Sequence, residues 1–126
     1  MNPTDLKNSL TLTALSHVAA RTSTVTGSAV DVRGYKGQLV ATQAVGTVSG
    51  TTPTLNGKLQ TSPDGTNDWT DISGATFTEV TAADSVQSIG VDVRDTLGYV
   101  RFVGTIAGTS PSFTMGALLQ GTKERY

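Results

Sequence analysis

The side chains that could do chemistry are few and scattered. His17 is the one histidine, and there is no cysteine. A structural zinc site prefers nitrogen and sulfur ligands, so a lone imidazole with carboxylates is a poor cradle. His17 reads as an ordinary surface or boundary residue. No serine stands in the GxSxG setting of a nucleophile elbow, so a Ser-His-Asp triad has no anchor in the chain. Asp64, Asn67, Asp68 and Asp71 crowd one stretch and could offer calcium an oxygen cradle. The EF-hand pattern is absent, and Asx side chains serve turns equally well. Asp31 and Asp92 each stand two residues before an arginine, Arg33 and Arg94. Residues i and i+2 share a face of a strand, so each pair reads as a surface ion pair. The nucleotide-binding patterns GxGxxG and GxxxxGK[ST] are missing. These absences point away from an enzyme, a metal centre or a bound cofactor.

What the chain does carry is a repeat. Val45–Leu55 (VGTVSGTTPTL) returns as Val103–Phe113 (VGTIAGTSPSF), identical at six of eleven positions. Val30–Arg33 (VDVR) returns as Val91–Arg94. The first offset is 58 residues and the second 61, so one copy holds three extra residues, expected near Ala41–Ala44. A period of half the chain is too long for a solenoid unit. It fits one domain made of two similar halves, with Val30–Leu59 lying on Val91–Leu118.

Apolar and polar residues alternate through the repeat and beyond it. Leu10, Leu12 and Ala14 share one face; Val30 and Val32 another; Ile89, Val91 and Val93 a third. Phe113, Met115, Ala117 and Leu119 make the longest stripe of period two. One buried and one wet face mark antiparallel sheet. Strands are expected near 9–15, 29–33, 37–45, 55–61, 69–72, 76–80, 87–94, 98–106 and 112–120. Ala14–Ala20 could form a turn or two of helix. Turn residues separate the strands, clearest in Ser62-Pro63-Asp64-Gly65. Pro53 and Pro111 are expected to hold Thr52 and Ser110 extended. The fold class is therefore all-β: an antiparallel β-sandwich, jelly-roll-like, from two similar Greek-key halves.

Fourteen glycines and abundant Thr and Ser suit strands and tight turns. Charged residues make up 15%, below the usual quarter, and the net charge is −1. Such a surface is cheap to desolvate, which suits contact with protein, and nothing draws it to nucleic acid or a membrane. The N-terminus lacks the basic and apolar regions of a signal peptide, so the reading is synthesis in a host cytoplasm. The 126 residues divide into an arm (1–8), one sandwich domain (9–122) and a tail (123–126). Pro3, Asp5 and Leu6 in the arm and Arg125 and Tyr126 in the tail are candidate interface residues, because ends of this kind fray unless tied down, by a neighbour or by folding back on their own sheet. Trp69, the single tryptophan, is expected to open a strand and anchor a hairpin in the core. An exposed ring there, with Tyr99, would instead offer a stacking platform for sugars.

LQTSPDGTNDWTDISGATFTEV, followed by VDVRDTLGYVRFVGTIAGTSPSFTMGALLQGTKERY, resembles the head-decoration (cement) proteins of tailed bacteriophages. Those proteins carry a strand of form LQ-S-DG-W-DI, a YVR strand, a GT-P-F turn and a final strand. The resemblance covers roughly residues 29 to 125. It implies a jelly-roll sandwich on the capsid exterior of a virion, tying neighbouring major capsid protein subunits together; the protein is expected to act as a homodimer or homotrimer. It brings no catalytic motif. A carbohydrate-binding or adhesin module is the alternative.

Overall fold

The structure, a computed structural model, describes residues 10–123. The arm candidates Pro3, Asp5 and Leu6, and the tail candidates Arg125 and Tyr126, lie outside the described residues. Seven strands follow in order: β1 (Leu10–Arg21), β2 (Val25–Thr26), β3 (Val30–Asp31), β4 (Tyr35–Ser62), β5 (Thr70–Thr76), β6 (Ser85–Asp92) and β7 (Tyr99–Lys123). A single 3-10 turn, Val93–Asp95, is the one helical element among the described residues. All pairing is antiparallel, in the order β1-β7-β4-β5, with β2 and β3 on β7 and β6 on β4. The expected β-sandwich class holds.

Two strands are far longer than the alternation suggested. The segments expected at 37–45 and 55–61 are arms of the continuous β4, and those at 98–106 and 112–120 are arms of β7. Each strand bends midway. The side chain of Gln43 packs against Gly57, fourteen residues further along β4, where an unbent strand would set them roughly 46 Å apart. The bend makes two layers. In one, β6, the first arm of β4, the second arm of β7 and β1 lie side by side. In the other, β2 and β3, the first arm of β7, the second arm of β4 and β5 do so.

The register reveals why both strands bend at the same place. Val48 pairs with Phe113 and Leu55 with Ile106. A shift of 58 residues exchanges these two pairs, and it maps the pair Thr51–Thr109 onto itself. A pseudo-two-fold axis therefore passes through Thr51–Thr109, between the two copies of the repeat. The VDVR copies obey it too: Val30 pairs with Val100 as Val91 pairs with Leu39. The extra residues lie on β4, where Leu39 to Val48 takes nine steps against six from Val100 to Ile106, partly through a bulge after Val45.

Backbone conformation at the crossing corrects one expectation. Thr52 and Ser110 both have φ of 48°, left-handed rather than extended. Gly50 (φ 111°) and Gly108 (φ 122°) complete the paired kink. A methyl group on Gly50 would lie 2.6 Å from the carbonyl oxygen of Ser110, and one on Gly108 would lie 2.7 Å from that of Thr52. The close approach of two backbones overrides the local preference of a residue before proline.

Two further expectations give way. Ala14–Ala20 is strand, because β7 offers β1 a ladder, though an interrupted one, whereas two isolated helical turns are marginal. Two register shifts, between Ala14 and Ser16 and between Ser16 and Ala19, blur the alternation there. The strands expected at 69–72 and 76–80 become β5 plus a single bridge from Val80 to Leu55.

The core lies between the layers. Leu39, Ala41, Val45, Met115, Ala117 and Leu119 come from one, and Leu55, Leu59, Ile72, Val100 and Phe102 from the other. Gln43 is the exception, with no accessible surface and neither amide atom hydrogen-bonded. It fits because Gly57 has no side chain to fill the space that the Gln43 amide occupies.

Three outcomes follow from this packing. Gly50→Ala and Gly108→Ala should each destabilise by about 1–3 kcal/mol in urea unfolding, since both create left-handed strain and a backbone overlap. Thr52→Asn, better suited to positive φ, should be neutral or stabilising. Gln43→Met should raise stability by about 1 kcal/mol or more, because a buried unpaired polar atom costs roughly that much.

Candidate interaction surfaces

The axis makes the layers alike in backbone, and their outer faces differ in chemistry. On the layer β6–β4–β7–β1 the strands bring no Asp, Glu, Lys or Arg from Gly37 to Gly57, from Ser85 to Val91, or from Phe102 to Thr122, and the first strand adds only His17 up to Ala20. Cross-strand registry gathers apolar residues on the outside. Ala44 stands between Val86 and Gly116, and Thr42 between Ser88 and Leu118. Val18 leans on Gly116 from β1. Val18 and Val86 are each 74% exposed, and Val40 and Leu118 are also open. Ala14, Ser16, Val18, Thr42, Ala44 and Leu118 help line an apolar dimple of about 180 Å³ in this face. His17 is exposed beside it, as expected.

The other layer is ionic outside. Asp71 on β5 accepts from Lys58 Nζ at 3.1 Å and from Gln60 Nε2 at 2.9 Å, and Arg101 Nε donates to Gln60 Oε1 at 2.9 Å. Trp69 is not in the core. It is half-buried, with the Arg101 guanidinium 4.3 Å from its ring centre. Tyr99 is likewise half-buried, with Arg33 at 5.0 Å from its ring centre and Gly65 against the ring. One face of each aromatic ring is thus occupied by an arginine of the same chain. The core aromatic cluster is Phe77 with Phe102 instead, centroids 6.2 Å apart.

The paired Asp and Arg residues meet as anticipated, through a different geometry. Arg33 Nη2 lies 2.8 Å from Asp31 Oδ2, and Arg94 Nη2 lies 2.9 Å from Asp92 Oδ2. In both copies the Asp also accepts from the main-chain N–H of its Arg, at 2.9 Å. The chain therefore leaves the strand at this point, and Asp92 caps the 3-10 turn. Asp64 is used in the same way: its Oδ1 accepts from the N–H groups of Thr66 and Asn67 at 2.9 and 2.8 Å, and Ser62 donates to it. Those bonds commit its carboxylate to the turn, and no group of three or more metal-ligating side chains assembles among the described residues.

No protein-family model and no curated protein matches the chain. Solved structures share its fold. A chain in the structure of infectious bursal disease virus, Gx strain, overlays with a TM-score of 0.65 at 12% identity, covering 93% of this chain and 33% of that one. The VP2 subviral particle of infectious bursal disease virus gives 0.60 at 12% identity, covering 91% and 32%. The chain thus spans about a third of the length of these two. The SPBc2 prophage-derived protein YomS gives 0.48 at 14% identity, covering 89% and 95%. The β-sandwich found here is a fold that virus-particle chains also use.

Three carboxyl groups sit below their ordinary range. Main-chain N–H groups of Asn67 and Thr66 lower Asp64, side-chain bonds from Gln60 and Lys58 lower Asp71, and the Arg94 side chain lowers Asp92. A lowered folded-state value stabilises the fold above the unfolded value, and that contribution is lost as pH falls through the folded one. The thermal midpoint should therefore be flat above roughly pH 4, the ordinary Asp value, and fall below it. Asp64→Ala should reduce the slope of that acid limb in a pH series of melting curves.

Proposed function

We propose that the chain is a structural virion protein that binds the outer surface of a capsid, as a phage decoration protein does, and cements neighbouring major capsid subunits without turning over a substrate. The observation that carries this reading is the two-layer fold, which overlays along nearly the whole chain on a chain of an infectious bursal disease virus particle. The phage resemblance of the DG-W, YVR and GT-P-F segments adds to it. So does the uncharged outer face of β6–β4–β7–β1, which a protein partner can cover without desolvating a formal charge. That face is the one assigned to the capsid. The glycan-binding alternative draws on Trp69 and Tyr99, rings already carrying an arginine on one face.

A ligand that binds only the assembled state stabilises it by mass action. Particles of the encoding phage stripped of this chain should therefore regain resistance to heat and chaotrope when the purified protein is added back. Ala44→Lys, on the uncharged face, should abolish the gain, while Asn56→Lys on the other layer should not. Equal particle stability with and without the protein would refute the cementing role.

A further inference from the structure

Among the described residues no further strand covers the two edges of either layer, and three of these four edges are guarded. β1 is broken by two register shifts and ends in Arg21. β2 and β3 are two residues each. β5 has an irregularity opposite Lys58–Gln60 and carries Asp71. Short strands, bulges and charges are the usual means of blocking unwanted pairing. β6 has neither a bulge nor a charge along its run, its one charged residue being Asp92 at the end. It pairs with β4 without interruption from Gln38–Asp92 to Val45–Ser85, holds no proline, and is uncharged from Ser85 to Val91. Among the described residues its main chain bonds to no strand but β4. The nearby Thr78 main chain is met by the Gln87 side chain, whose Nε2 donates to the Thr78 carbonyl at 2.9 Å, so this contact leaves the β6 backbone edge open.

From this asymmetry we infer that β6 is a self-association edge: two copies of the chain pair their β6 strands antiparallel about a two-fold axis. An edge of unpaired N–H and C=O groups is completed by another strand, and a copy of β6 is itself regular and carries no charge from Ser85 to Val91. Such a contact is isologous, so each residue must tolerate its own counterpart. With the axis at Ser88, hydroxyl faces hydroxyl and Val86, 74% exposed, stands opposite Gly90 of the other copy. At each end Asp92 faces Asp84 of the other copy, a like-charge contact that works against the pairing and is offset only by the Arg94 guanidinium on Asp92. The union extends the uncharged layer across both copies and leaves its outer face free, so it goes beyond the capsid reading and does not depend on it.

The test is the mass of the purified full chain in solution, without particles, by sedimentation and light scattering across the micromolar range. Wild type should reach twice the chain mass. Val86→Lys and Ser88→Lys should shift it to the chain mass with unchanged circular dichroism and melting midpoint. Ser73→Lys, on the guarded edge β5, should leave the dimer intact. A wild type that stays monomeric, or lysine variants that remain dimeric, would overturn the inference. So would a monomer whose β6 amides become protected only on the particle, since the edge would then belong to a capsid strand. None of these outcomes bears on whether particles are stabilised.

Discussion

The structure depends on one close crossing. β4 and β7 run antiparallel for most of their length, and at Gly50 and Gly108 each passes so near the other's backbone that only a hydrogen fits. Because the crossing lies on the pseudo-two-fold axis, both strands turn by the same means: a glycine at positive φ, a left-handed Thr or Ser two residues later, then proline. The bend converts a single hydrogen-bonded sheet into two layers with a core between them. Everything else is arranged around that frame. β5 pairs with the second arm of β4 as β1 pairs with the second arm of β7, and the Asp-Arg turns close both halves.

Symmetry of the backbone makes the departures from it informative. One interior departure is at Gln43, which reaches from one layer into the space beside Gly57 of the other. The exterior breaks it throughout. One layer shows Lys58, Asp71, Arg101 and ring-stacked arginines to water, and the other shows valine, alanine, serine and threonine. The frame does not require that difference, since either chemistry satisfies an exposed strand face. Such an uncharged face can be covered by another protein without desolvating a formal charge.

Much of this was legible in the residues. The repeat located the two halves, the period of two gave the fold class, and the glycines marked the crossing. Three things were hidden, each for a physical reason. β1 has no sequence counterpart in the second half, because an edge strand needs only the ladder and tolerates any residue that does not clash; its equivalence to β5 exists in pairing alone. Thr52 and Ser110 depart from the local rule for residues before proline because that rule cannot register a second backbone arriving from 58 residues away. Trp69 lies outside the core because its contact with Arg101 comes from a strand more than thirty residues later. The candidate surface was visible only as a low count of charges. Which strands shared that deficit, and on which side, required the register.

The claim that the uncharged layer meets the capsid can be tested at single positions, because the chain has no cysteine of its own. Cysteines placed singly at Ala44 and at Asn56, on the outer faces of the two layers, can be titrated with a maleimide on the free protein and on particles. The account requires both to react in the free protein and only the Asn56 position to react once the protein is bound. Protection at Asn56 with free reaction at Ala44 would contradict it.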